Sequence, residues 1–400
     1  MKKWIAMLLA FCLIFSITAC KAKDNNNKQD PTSDSTNSST GGADQSGDSA
    51  VRQRPMVSVS LPAVTKPFTA DNGTVIFNYT YQNISMIVPD PDIADKVIID
   101  FLTRIDQTNS VAESIYTAAK KSYSANSPWT PYICSITYSP QRIDMGVLSL
   151  FGNDVRYSGG AHSVTSGISV SYDLITGKAL SLSDVLTEGT SADSICQLVI
   201  NTLADLSAEV TLHSDYASTV TDYFSDKFSE LDTWYLSQTG LCFYFSPYEI
   251  APYSSGVVVA EIPYEKLTGI MEDAYFPAER DSASGTVYAT SFDSADLESY
   301  SQFSEIVLND DSDKILLYTD KSVYDVQLQS GIWSTNGKLY TPIYTAFAAH
   351  TLTPGDAIMV EAALTDANPA LRLSYKTGND TVSVFITKSS DGSISLTAGS

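Results

Sequence analysis

The sequence predicts an α+β fold: a domain of strands, two or three helices and an antiparallel sheet, followed by a separate, mostly β domain. Helical patterns alternate with strand runs over residues 70–276, whereas short strand runs separated by polar turns recur from residue 281 onward. About 330 residues of ordinary hydrophobic content follow the N-terminal segment and its polar tract, which is enough for two or three domains with their own cores.

The first 20 residues have the pattern of a lipoprotein signal peptide. Lys2 and Lys3 precede an almost entirely apolar run over residues 4–17, and Cys20 ends the segment after two small residues. The run is too short to span a membrane, which takes about 20 residues. We therefore expect cleavage after residue 19, lipid on Cys20 and anchoring to the outer face of a Gram-positive cell membrane. An ordinary secretory signal with a coincidental cysteine is the alternative.

A tether follows the predicted anchor. Residues 24–49 consist mainly of Asn, Gln, Ser, Thr, Asp and Gly, so they cannot bury a core. About 40 such residues have a typical end-to-end distance of roughly 35 Å. The predicted domains are a signal peptide over 1–19, a lipid anchor and disordered tether over 20–65, an α+β envelope domain over 66–279 with a sub-boundary near 140–165, and a C-terminal β domain over 280–400.

The envelope domain alternates between strand and helix patterns. A strand pattern over 74–88 ends at two prolines, and the residues after it favour a helix with one apolar face. A long strand over 145–156 precedes a cleanly alternating strand over 163–174, which is typical of a half-solvated antiparallel sheet. Further helices are predicted around 195–206, 220–231 and 264–275, with strands at 240–245 and 256–262.

The C-terminal region has the pattern of a small sandwich or barrel. Its strand runs are separated by residues that favour hairpin turns, at 331, 336–337, 378–379 and 391–392. Three cysteines remain in the mature chain besides Cys20, namely Cys134, Cys196 and Cys242. Their odd number, wide spacing and apolar neighbours favour buried thiols over a disulfide framework, although a single disulfide is also compatible with the pattern.

Charge restricts the partners. Cleavage removes two lysines and no acid, so the mature chain has 22 basic and 46 acidic residues and a net charge of −24. Nucleic acid would be repelled and is not expected as a partner. A cationic protein would be attracted and its encounter accelerated. The acidity is also explained if it only keeps the protein soluble.

Two loops are the candidate contact surface. Residues 157–163 place two glycines between strands, which permits positive φ and close backbone approach. Residues 245–253 contain two prolines that hold a loop and display aromatic rings on it. The candidate ligand-binding residues are Tyr157, Ser158, Gly159, Gly160, His162, Tyr248, Glu249 and Tyr253.

These motifs resemble an extracytoplasmic domain family of unknown function. The resemblance rests on Tyr-Ser-Gly-Gly-Ala-His at 157–162, Tyr-Asp-Leu with Thr-Gly-Lys at 172–178, Leu-x-Leu-x-Asp at 180–184, Pro-Tyr-Glu-Ile-Ala-Pro-Tyr at 247–253 and Ile-Pro-Tyr at 262–264. The family is shared by the lysozyme-sensing anti-sigma factor of bacilli and the non-catalytic part of a peptidoglycan deacetylase. Over about 70–275 it implies a surface-binding role. The chain lacks the sigma-binding segment of the former and the metal-binding histidine pattern of the latter.

Catalysis is not expected. His162 lies beside two serines, but adjacent residues on a strand point to opposite faces, so His162 and Ser163 would diverge. No Cys/His cluster has metal spacing, and no phosphate loop or dinucleotide motif is present, so no catalytic residue, metal or cofactor is predicted. An alternative is a hydrolase or esterase acting on wall polysaccharide, which would need a carboxylate pair such as Glu249 and Asp173.

The sequence therefore predicts a non-catalytic, lipid-anchored extracytoplasmic protein. Its expected ligand is a cationic wall-lytic protein such as lysozyme, or cell-wall glycan such as peptidoglycan. A structural lipoprotein within an envelope assembly is the remaining alternative. The oligomeric state and the role of the β domain stay open.

Overall fold

The computed structural model describes residues 56–278, 284–308, 313–334, 339–364 and 371–398. These belong to one compact unit, Gln53–Ser400. The predicted signal peptide over 1–19, the acylated Cys20 and the tether up to residue 55 lie outside the described residues. Within the described ranges, none of the helices has the length and apolar character needed to cross a membrane.

The helices and strands confirm the predicted α+β class. The helices are α1 (Pro91–Gln107), α2 (Asn109–Ser122), α3 (Leu182–Val185), α4 (Ala192–Leu206) and α5 (Tyr216–Lys227). The strands of the first half are β1 (Ser58–Ser60), β2 (Ala63–Thr69), β3 (Val75–Gln82), β4 (Ser85–Ile87), β5 (Tyr132–Ile143), β6 (Val147–Tyr157), β7 (Val164–Asp173), β8 (Trp234–Leu236), β9 (Gly240–Phe245) and β10 (Val258–Pro263). Those of the second half are β11 (Val287–Ser291), β12 (Gln302–Val307), β13 (Asp313–Thr319), β14 (Val323–Trp333), β15 (Tyr340–Leu352), β16 (Asp356–Ala362), β17 (Leu371–Thr377), β18 (Asp380–Lys388) and β19 (Ile394–Ala398).

A five-stranded sheet in the order β2-β3-β5-β6-β7 forms the first layer. Its strands are antiparallel except for β3 and β5, which run parallel. A parallel pair needs a long crossover, and α1 and α2 supply it. The helices cover one face of the sheet, where Phe101 of α1 packs edge-on against Tyr138 of β5 with ring centroids 5.3 Å apart.

A three-stranded sheet in the order β10-β9-β8 packs with α4 and α5 around a second core. Every residue of β9 is buried because this strand lies in the middle of the layer. The same sheet covers part of the other face of the five-stranded sheet, where Phe151 and Tyr235 stack at 4.6 Å. Gly167 is required there, since a Cβ at that position would lie 2.5 Å from the Tyr244 ring.

The C-terminal strands form two sheets that share one apolar core, as in a sandwich. One sheet has the order β11-β13-β16-β12, and the other has the order β19-β18-β17-β14-β15-β1-β4. The prediction of a final short helix over 264–275 is wrong. Two short 3₁₀ turns, Tyr264–Lys266 and Asp273–Tyr275, lie there instead.

The predicted end of the tether at residue 65 needs revision. β1 lies within the predicted tether, yet it pairs with β15 on one side and β4 on the other. Val57, Val59 and Leu61 are almost completely buried, and this apolar alternation is the physical reason for the strand. The larger C-terminal sheet therefore includes residues from the start of the described chain. The predicted division at 279–280 stays a prediction.

A buried arginine joins the first sheet to the middle layer. The Arg142 side chain is 1% exposed, and its Nε donates to Asp144 Oδ2 at 2.6 Å. Its Nη1 donates to the Tyr264 hydroxyl at 2.9 Å and to the Tyr275 carbonyl at 2.5 Å. Tyr264 in turn donates to the Ser237 carbonyl at 2.7 Å. One guanidinium therefore connects β5 to the segments before β9 and after β10.

We predict that Arg142→Met lowers the free energy of unfolding by about 3–5 kcal/mol, because it leaves Asp144 buried without its counter-ion. Arg156→Met is the matched control: Arg156 also pairs with an aspartate two residues away, but its side chain is 43% exposed. The control should lose at most about 1 kcal/mol. Urea unfolding of both variants makes the comparison, and equal losses would contradict the structural role of Arg142.

Candidate functional site

The structure brings the two candidate loops together. One loop joins β6 to β7, and the other follows β9. The His162 ring stacks on the Tyr253 ring with centroids 4.3 Å apart and an interplanar angle of 28°. Tyr253 stacks on Tyr248 at 5.6 Å and 29°. We call these three stacked side chains, His162, Tyr253 and Tyr248, the aromatic ladder.

Hydrogen bonds hold the two loops against each other. The Tyr253 hydroxyl donates to the Ser163 carbonyl at 2.9 Å. The Gly167 amide donates to the Ser246 hydroxyl at 3.2 Å. Within the second loop, the Ser246 amide donates to Glu249 Oε2 at 2.6 Å, so this carboxylate closes a turn. The ladder is thus supported by contacts that cross between segments about 90 residues apart.

The loop backbones adopt conformations that few residues tolerate. Gly159 and Gly160 have φ values of +96° and +111°, which explains the glycine pair. A Cβ at Gly159 would also lie 2.8 Å from the Tyr132 hydroxyl oxygen. Tyr248 has a φ of +75°, which is uncommon for a residue with a side chain. Its ring is nonetheless 61% exposed, so the strained backbone displays an aromatic group to solvent.

A second row of rings reaches the same loop. Tyr157 contacts Tyr132 edge-on at 5.8 Å, Tyr132 stacks on Trp129 at 5.0 Å, and Trp129 meets Tyr123 at 5.4 Å. The Tyr157 hydroxyl donates to the Gly160 carbonyl at 3.2 Å. Trp129 was not predicted as part of this surface, although it lies between Pro128 and Pro131, and a pair of prolines around aromatic residues is also the signal that identified the second loop.

The geometry does not support the catalytic alternative. His162 Nδ1 lies 3.0 Å from the Ser163 carbonyl oxygen, and the ring stacks on a tyrosine. Asp173 accepts hydrogen bonds from the amides of Ile175 and Thr176 and thereby shapes a turn. It ends β7, whereas Glu249 belongs to the loop held at the start of β7. The ten residues of β7 extend over about 33 Å, so Asp173 and Glu249 lie near opposite ends of this strand. They therefore do not form the carboxylate pair that the hydrolase interpretation required.

The described residues form no metal centre, and the three cysteine thiols are buried. In the described ranges, no group of three Cys, His, Asp or Glu side chains could hold a metal ion. Cys134, Cys196 and Cys242 are unpaired and buried, which confirms the expectation of buried thiols. Burial raises the pKa of the Cys134 thiol to about 11 and that of Cys242 to about 12, so both stay protonated and unreactive at neutral pH.

Together these features define an α+β protein whose neighbouring loops carry a stacked aromatic surface. Residues 183–265 match the model of a family described as "Protein of unknown function (DUF3298)". This match confirms the predicted resemblance to a family of unknown function for that segment, which contains the second loop. The earlier part of the resemblance, including the loop at 157–163, lies outside the matched residues.

Two solved structures are similar to this chain. A member of the DUF3298 family from Bacteroides fragilis NCTC 9343 is 20% identical, with a TM-score of 0.39, over 55% of this chain and 94% of that chain. A DUF3298 family protein from Pseudomonas aeruginosa PAO1 is 19% identical, with a TM-score of 0.39, over 55% of this chain and 97% of that chain. No curated protein matches the sequence.

We predict that Tyr253→Ala loosens both loops, because it removes the central ring of the ladder and the bond to Ser163. Tyr253→Phe keeps the ring and loses only the hydrogen bond, so its effect should be smaller. Hydrogen exchange of the amides at 158–163 measures the difference. We expect exchange about tenfold faster in the alanine variant than in the phenylalanine variant. Equal rates in both variants would show that ring stacking does not stabilise the loop.

Proposed function

We propose that this protein is a lipid-anchored, extracytoplasmic binding protein without catalytic activity. Its lipid is attached at Cys20, and its ligand is a macromolecule of the cell envelope. The observation that carries the proposal is the convergence of two separately predicted loops into one aromatic ladder. The arrangement provides contact area and rigidity, which are the properties that a binding surface needs.

Aromatic residues on fixed loops are well suited to binding. Tyrosine rings offer a large contact area and lose little conformational entropy when they bind, so they are frequent among the residues that dominate interface energies. Tyr248 is the more accessible of the two ladder tyrosines, and Tyr253 connects it to the first loop. These two tyrosines are therefore the proposed anchors, with the Ser158–His162 segment at the edge of the contact.

A cationic wall-lytic protein, of which lysozyme is the example, is the ligand that charge favours. A mature net charge of −24 produces a negative field that attracts a basic protein and accelerates its encounter. Specific contact would then come from the aromatic surface. Cell-wall glycan is the second candidate, because the exposed ring of Tyr248 can pack against the apolar face of a sugar.

The proposal predicts that the unit 53–400 binds lysozyme with defined stoichiometry in calorimetry, at low and at physiological salt. Tyr248→Ala combined with Tyr253→Ala should weaken binding about 30-fold, the effect expected from losing a main anchor. Tyr288→Ala is the matched control, since Tyr288 is also exposed and also stacks on another tyrosine, Tyr318, in the C-terminal region.

The outcomes separate the alternatives. Binding that appears only at low salt would be charge attraction without a specific site, and it would contradict the proposal for lysozyme. Unchanged affinity in the double variant would remove the ladder from the contact surface. Absence of lysozyme binding, together with ladder-dependent sedimentation on purified peptidoglycan, would identify wall glycan as the ligand.

A further inference from the structure

A cleft of about 520 Å³ lies between the five-stranded sheet and the C-terminal sandwich. Its volume is within the range of small-molecule binding sites, about 300–1,000 Å³. The helices cover the opposite face of the same sheet, and β8–β10 cover only part of this one. The cleft therefore exposes a section of sheet that neither neighbour covers.

The floor of the cleft is polar and neutral. Ser135 and Thr137 of β5 are register partners of Val155 and Asn153 of β6, so these four side chains share one face. All four line the cleft. Thr65 and Thr80 extend the floor, and their hydroxyls bond to each other at 2.9 Å.

The central polar groups have no internal partner. Within the described part of the chain, the side chains of Ser135, Thr137 and Asn153 form no hydrogen bond to protein. They are half-buried on three adjacent positions of two paired strands. Since half-buried polar groups usually have partners, these hydroxyl and amide groups are available to a ligand or to water.

The wall opposite the floor is mostly apolar, and Ser330 and the Tyr344 hydroxyl are its polar groups. Ile343, Tyr344 and Leu371 of the sandwich line it, and Ile343 is 55% exposed. None of the described residues lining the cleft is charged, although 18% of the whole chain is charged. A charged ligand would lose its hydration without gaining a counter-ion, so the lining favours an uncharged one.

We propose that this cleft binds a segment of a neutral oligosaccharide. A sugar chain combines hydroxyl groups, which match the donors and acceptors of the floor, with apolar C–H faces, which match the wall. The site differs from the aromatic ladder in position and in lining. It adds a glycan contact that the proposed binding of a cationic protein does not need.

The test uses chitotetraose, a neutral tetramer of N-acetylglucosamine, titrated into the unit 53–400 by calorimetry. Thr137→Val combined with Asn153→Leu keeps the side-chain size and removes the polar groups. We expect its dissociation constant to rise about tenfold, the loss that two hydrogen bonds produce. Thr165→Val is the matched control: Thr165 is the β7 register partner of Val155 on the same face but does not line the cleft.

The result supports the inference if chitotetraose binds, the double variant binds more weakly and the control is unchanged. Ser135→Ala provides a smaller change if the double variant shifts the thermal unfolding transition. Failure of chitotetraose to bind, or tighter binding of the charged tetragalacturonate, would overturn the neutral-oligosaccharide site. Loss of chitotetraose binding in the Tyr248→Ala, Tyr253→Ala variant, with the cleft variant unaffected, would place the sugar on the ladder and also overturn it.

Discussion

The buried contacts of Arg142 are the constraint on which the arrangement of the site depends. The guanidinium bonds to Asp144 in its own strand region and to Tyr264 and Tyr275 of the middle layer. These bonds fix the three-stranded sheet against the five-stranded sheet. A guanidinium suits this role because its planar set of donors can satisfy several acceptors while buried. The two loops of the aromatic ladder belong to these two sheets, so their meeting follows from this attachment.

Close packing between the three-stranded and five-stranded sheets is the second condition for the arrangement of the site. Gly167 lets the Tyr244 ring approach the five-stranded sheet, and farther along the same strands Ser149 and Ser171 bond to each other at 2.8 Å. The Ser149 hydroxyl also accepts a hydrogen bond from the Leu236 amide at 2.9 Å. Small side chains in β6 and β7 thus permit the middle sheet to lie directly on them. The uncovered remainder of that face is the floor of the cleft.

The sequence predicted the parts whose cause is local. The alternation along residues 163–174 predicted β7, and the glycine and proline motifs predicted both loops. The expectation that the polar side of β7 faces solvent is wrong at Ser171, which is buried. The stacking of His162 on Tyr253 could not be predicted, because it depends on contacts between residues 91 positions apart. The role of Arg142 was not predicted, because a single arginine gives no sequence signal of burial and because residues 132–143 were not predicted as a strand. The cleft was not predicted either. Polar side chains alternate along β5 and β6, which indicates that one face of the sheet is in contact with solvent. This pattern does not show that the C-terminal sandwich lies opposite that face.

The position of β1 has a mechanical consequence for an anchored protein. The chain enters the described structure at Met56, whose amide donates to Gln302 at 2.6 Å, and continues directly into β1 between β15 and β4. A force arriving from the preceding residues acts along a strand that is bonded on both sides. It loads several backbone hydrogen bonds in shear at once, rather than opening them one after another as at a free edge. If the proposed lipid anchor holds the chain, its pull reaches the described residues at an interior strand of the seven-stranded sheet.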